Sequence, residues 1–264
     1  MKYWLPILVC LISLTACQPD DGELVMPTLA NPDALGTAII LTQYAPPEGF
    51  STVSFPKVDD NLTRLSGWRS EVTFEFNGVF AQTTRTAYVR NTANIYYNQV
   101  GSARRVVAEF VDLDDPETVT ELEGVRLGPD AFLVRDGTCL TNAGDDADTL
   151  SNLSAGDLIG GVFQADNTID TGIINGETVW RYDFLLENIS LPTMRFDANT
   201  RVLDFRREMW VAPEHNAVIR YFITMEVENA RLIQSELPVT GTVIVRYNLY
   251  DIGVVPNINV PYGC

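Results

Sequence analysis

Enzymes that work at neutral pH need a side chain that can move a proton or attack an electrophile, and this chain offers few in any recognisable order. His215 is the single histidine among 264 residues. It sits in Ala212-Pro213-Glu214-His215-Asn216, which reads as a solvated turn between two strands. One histidine cannot build a His-rich metal site, and Cys139 and Cys264 lack the close spacing of zinc ligands. No nucleophile elbow, Walker loop or His-Glu-x-x-His motif occurs. The 35 acidic residues permit carboxylate pairs of the kind that hydrolyse glycosides, but the sequence singles none out. The expectation is a protein that is not an enzyme, with no catalytic residue, metal or cofactor; a two-acid surface hydrolase is the outlying reading.

Binding chemistry has more to work with. Two acidic clusters, Asp112-Leu113-Asp114-Asp115 and Asp145-Asp146-Ala147-Asp148, invite calcium, which takes six to eight oxygens. Neither follows the order of an EF-hand loop, so both read as solvated turns. Large apolar side chains recur on strand-like stretches: Phe74 and Phe76; Trp180, Tyr182 and Phe184; Tyr221, Ile223 and Met225. Trp210 and Tyr250 lie on other strands. Such rows either line a ligand cavity or fill a core, and a cavity for an amphiphile requires roughly 300 to 1,000 Å3.

Charge and cysteines bound the setting. The chain has 18 basic against 35 acidic residues, a net charge of −17, so nucleic acid and anionic head groups are repelled. Its start, MKYWLPILVCLISLTAC, places Lys2 before an apolar run too short to span a bilayer, which takes roughly 20 residues; it reads as an export signal. The stretch Leu14-Thr15-Ala16-Cys17 resembles the lipobox of bacterial lipoproteins. That resemblance implies that residues 1–16 are removed and that Cys17 is acylated, holding the protein to a membrane; an ordinary signal cleaved near Ala16 is the alternative. Two or more acyl chains anchor firmly where one binds marginally. The mature body keeps one cysteine pair, Cys139 and Cys264, and an even pair in an exported protein argues for a disulfide, with two free thiols as the other reading.

The elements that must position these residues are mostly strands. Residues 17–45 read as a lipidated cysteine and tether, with the apolar Ala38-Ile39-Ile40-Leu41 as a first strand or docking segment, and 46–264 as one β-rich domain. Alternation is the dominant pattern. Val72, Phe74 and Phe76 oppose Glu71, Thr73 and Glu75; Ile219 to Val227 and Val239 to Leu249 alternate the same way. Further strands are read at Thr84–Arg90, Arg105–Asp112, Thr118–Val125, Ala131–Arg135, Thr178–Leu185 and Leu203–Val211. Short helices are expected at 59–65 and 154–163. The fold class is mainly β (α+β): a large curved antiparallel sheet or half-barrel with one or two short helices on its concave side.

Several segments in this order, VDDNLTRLSGWRSEVTFEF, INGETVWRYDF, RREMWVAPEHNAVIRYFITMEV and TGTVIVRYNLYDIG, resemble the LppX/LprG and LolA/LolB lipoprotein superfamily over residues 48 to 260. The resemblance implies a half-barrel around an apolar cavity for acyl chains, and a role as an anchored lipid carrier, chaperone or sensor. On that reading the eight residues from Phe74 to Met225 named above line the cavity, the ligand is a lipid or glycolipid, and the protein is an extracytoplasmic monomer on the outer face of a cell membrane or the periplasmic side of an envelope membrane. The competing expectation is an anchored β-domain with a filled core that docks a protein or cell-wall partner.

Overall fold

The computed structural model describes residues 45–113 and 115–264; the stretches read as a signal and a tether, up to residue 44 and including Cys17, and Asp114 lie outside them. Strand β1 (Thr52–Phe55) leads through a 3-10 turn (Leu62–Arg64) into β2 (Gly67–Phe80), β3 (Thr86–Asn98), β4 (Ala103–Val111), β5 (Val119–Leu127), β6 (Asp130–Arg135) and β7 (Thr138–Cys139). Helices α1 (Gly144–Asn152) and α2 (Ala155–Ile159) follow. The second half holds β8 (Gly161–Ile174), β9 (Glu177–Asp183), β10 (Ile189–Ser190), β11 (Met194–Arg195), β12 (Arg201–Ala212), β13 (Ala217–Leu232) and β14 (Val239–Tyr250).

All these strands join one open antiparallel sheet of 14, ordered β1-β8-β9-β12-β13-β14-β2-β3-β4-β5-β6-β7, with β10 on β8 and β11 on β13. The topology is two meanders sewn together. Strands β2 to β7 pair in succession, the later strands form the other half, and β14 joins them by pairing with β2 from Val239 opposite Phe80 to Tyr250 opposite Arg69. Because β7 ends at one edge and β8 begins near the other, residues 140–160 must return across the sheet. They do so as helices: α1 packs on β4, β5 and β6, and α2 on β2 and β3. The half-barrel with helices over one face is therefore the observed architecture.

Alternation creates that face. Tyr182, Met209, Tyr221, Tyr247, Val72, Ala93, Ala108 and Leu122 stand in register across eight strands; all but Leu122 are buried. Burying apolar area at roughly 25 cal/mol per Å2 is what curls the sheet over its helices. All nine strand segments read from alternation occur. Close approach is secured where β5 carries Gly124, since a Cβ there would lie 2.8 Å from the Ser151 nitrogen of α1.

The helical expectations need correction. Residues 59–65 form only the 3-10 turn, because Asn61 adopts a left-handed backbone with φ 71° and Asp59 is engaged elsewhere. The 154–163 helix stops at Ile159: Ser154 and Asp157 make a capping box, but Gly160 at φ 67° ends it and Gly161 opens β8. The acidic run Asp145-Asp146-Ala147-Asp148 is not a turn but the start of α1, where carboxylates favour the positive end of the helix dipole.

Candidate functional site

Phe74, Phe76, Tyr182, Tyr221, Ile223 and Met225 all point to the helix-covered side and are 0–1% exposed. A residue lining a void wide enough for water would show surface to it. These six do not line one; they fill the concavity with side chains. Phe184 stacks on Tyr221 with ring centroids 5.7 Å apart and meets Phe205 edge-on at 6.2 Å, geometries worth about 0.5–1.5 kcal/mol beyond burial. The Tyr182 hydroxyl donates to the Phe50 carbonyl at 2.6 Å, and burial pushes it up to about 12. The Tyr221 and Tyr247 hydroxyls, directly cross-strand, have no hydrogen-bond partner among the described residues, and burial raises both.

The helix junction is held by two half-buried charged side chains, each bonded to backbone. Asp59 accepts the Ala155 and Gly156 N–H groups at 2.8 and 3.0 Å. Arg104, on the inner side of β4, donates to the Leu153 carbonyl at 2.5 Å. Burial raises the Asp59 carboxyl against the opposing pull of the Gly156 N–H and of Arg104, and burial lowers Arg104 against Asp59. Every one of these contacts serves the packing of α1 and α2 onto the sheet.

Trp180 differs from its neighbours. It is half-buried at the rim of the concavity and, among the described residues, borders a cleft of about 280 Å3 with Pro47, Phe50, Thr178, Pro213 and Glu214. His215, in the turn between β12 and β13 as read from sequence, is not solvated but 21% exposed, its Nε2 2.9 Å from Glu177 Oε2. That pair joins the turn to the β8–β9 hairpin beside the cleft. At the other end of β13 an open polar groove of about 650 Å3 runs past Gln82, Asp197, Asn199, Arg201 and Arg231, with Arg231 paired to Asp197 at 2.8 Å and Arg201 to Glu228 at 3.0 Å. Phe184, 3% exposed, borders a further polar surface groove of about 410 Å3.

Of the eight residues read as cavity-lining, the structure thus leaves Trp180 at a cleft, Phe184 at the edge of a groove and six in the core. Pro47, Phe50 and Pro213 were missed, and only the assembled turns could reveal them: alternation ranks strand positions, whereas these residues precede or connect strands. Among the described residues no group of three or more His, Cys, Asp or Glu side chains is placed to hold a metal, and no helix is long and apolar enough to cross a membrane.

Cys139 and Cys264 form a disulfide, S–S 2.05 Å and Cα–Cα 5.4 Å. Bonds of this kind persist outside the reducing cytoplasm, which points to a non-cytoplasmic environment. No family model matches the chain, and no curated protein matches it.

Proposed function

We propose that this chain is a lipid-anchored, extracytoplasmic binding module without catalytic activity, which takes its ligand or partner on the surface of a filled β-domain. The observation that carries this reading is the solid concave face: the aromatic rows that would line a carrier's cavity pack against one another instead. The anchor rests on the lipobox-like sequence ending in Cys17, and the compartment on the Cys139–Cys264 bond. The resemblance to the LppX/LprG and LolA/LolB proteins is, on this proposal, one of architecture, with the half-barrel kept and its interior closed by side chains.

The experiment is to express the chain from Gln18 onward, which contains every described residue. Co-purifying lipid is sought by native mass spectrometry, and the protein is titrated with a fluorescent fatty acid. No bound lipid and no saturable acyl binding are expected. A lipid bound in stoichiometric amount would return the protein to the carriers.

A further inference from the structure

The rim cleft combines features found together nowhere else among the grooves described. Among the described residues its walls are an indole, a phenyl ring and two proline rings, from Trp180, Phe50, Pro47 and Pro213; besides the indole N–H, polar side-chain groups come from Thr178 and Glu214. A sugar would require several hydrogen-bonding groups around a ring, and the polar groove past Asp197 and Asn199 is better equipped for that. An acyl chain would need a deeper apolar volume than about 280 Å3.

Charge chooses among what remains. The chain carries −17 overall, a field that concentrates cations and repels anions. Glu177, beside the cleft, is engaged with His215; Glu214, exposed in the neighbouring turn, borders the cleft and is the carboxylate within reach of an occupant. Aromatic faces with a nearby carboxylate suit a positive charge spread over alkyl groups, because the ring quadrupole attracts the cation while the methyls displace water from indole and proline.

We infer that the Trp180 cleft is a binding site for small organic cations of the alkylammonium class. The inference rests on the binding-module reading and names its ligand. Trp180 supplies the ring face, Phe50 and the two prolines close the walls, and Glu214 supplies the countercharge. The site is partly open, so affinity is modest and specificity comes from charge and shape.

The test uses the chain from Gln18 onward, titrated by calorimetry and by tryptophan fluorescence with choline, with tetramethylammonium, and with 3,3-dimethylbutanol, the uncharged isostere of choline. Both cations are expected to bind saturably at one site, and the isostere at least about tenfold more weakly. Trp180→Leu is expected to weaken choline binding roughly tenfold. Glu214→Gln, in an exposed turn where folding is not at stake, is expected to weaken it about threefold at low salt, a difference that fades at high salt. Equal binding of choline and its isostere would overturn the inference, as would the absence of saturable binding by either cation. Neither of those outcomes touches the binding-module reading, which falls if lipid co-purifies in stoichiometric amount or the fatty-acid probe binds saturably.

Discussion

Three tyrosines in one cross-strand row make the state of the core measurable at single-residue resolution. Tyr182 has a partner for its hydroxyl in the Phe50 carbonyl, whereas Tyr221 and Tyr247 have none among the described residues. Leaving a buried polar group unpaired costs about 1–3 kcal/mol, and removing it relieves that cost. Tyr221→Phe and Tyr247→Phe are therefore expected to match or exceed the parent in urea denaturation, by up to about 1 kcal/mol, while Tyr182→Phe loses about 1 kcal/mol. If Tyr221→Phe were clearly destabilised, its hydroxyl would have a water partner and the concavity a void, which contradicts the filled core. Asp59 gives a second reading, through pH. Burial raises its carboxyl in the folded protein, so the native state holds this proton more tightly than the unfolded chain. Its contribution is full below about pH 3.8 and is lost as pH rises through the folded value. Urea midpoints of parent and Asp59→Asn, compared at pH 4 and pH 7, should differ more in the parent's favour at pH 4; the opposite trend would mean that the carboxylate is stabilised in place rather than strained.

At the scale of elements, the loose joint is between α1 and the sheet. The helix has a small apolar face, Ala147 and Leu150 with buried Ser151, so it docks by closeness rather than bulk, over a glycine. Gly124→Val would put two methyls where Ser151 and Leu150 already lie within 3 Å of a bare Cβ. Overpacking of this kind costs about 1–3 kcal/mol, expected as a lowered melting temperature and faster amide exchange in residues 144–152 with strands β13 and β14 unaffected; exchange unchanged in the helix would show that it does not depend on that contact. The same weakness explains what the sequence hid. Strands with strict alternation, such as β2, β13 and β14, announced themselves, because a half-buried sheet demands one apolar face. Helix α1 did not, since Gly-Asp-Asp reads locally as a turn and only packing on Gly124 makes it a helix. Strand β8 also escaped: its pairing with β9 shifts register between Asn167 and Thr171, with Ile169 at φ 62°, so its residues never alternate cleanly. The rim cleft was legible only as Trp180; its other walls come from turns and from the segment before β1, whose approach to β9 depends on the β1–β8 pairing.

Over the whole molecule, the sheet has two ends and both are treated as liabilities. An exposed edge invites pairing with other chains, and here β1 has four residues and β7 two. The C-terminal segment protects the β7 side. After β14 it passes close over Gly67, where Val254 O would meet a Cβ at 2.3 Å. It then takes a hydrogen bond from Asn98 Nδ2 at the Pro256 carbonyl, and seats Ile258 on Ala103 and Val125 with Tyr96, Leu127 and Phe132 around them. Cys264 ends bonded to Cys139 on β7. This small second core lies on the side of the sheet away from the helices, and three buried residues cannot hold the segment by themselves. The covalent bond does: closing a loop with a sequence separation of 125 is worth about 5 kcal/mol in the chain-entropy model. Cys264→Ser, or reduction of the parent, should lower the urea midpoint and render the residues after Tyr250 sensitive to limited proteolysis. The β13–β14–β2 centre should keep its slow amide exchange, because its contacts are internal to the sheet. If cleavage did not follow reduction, Ile258 and its neighbours would be holding the segment unaided, and the bond would be acting on the β6–β7 edge rather than on the segment after β14.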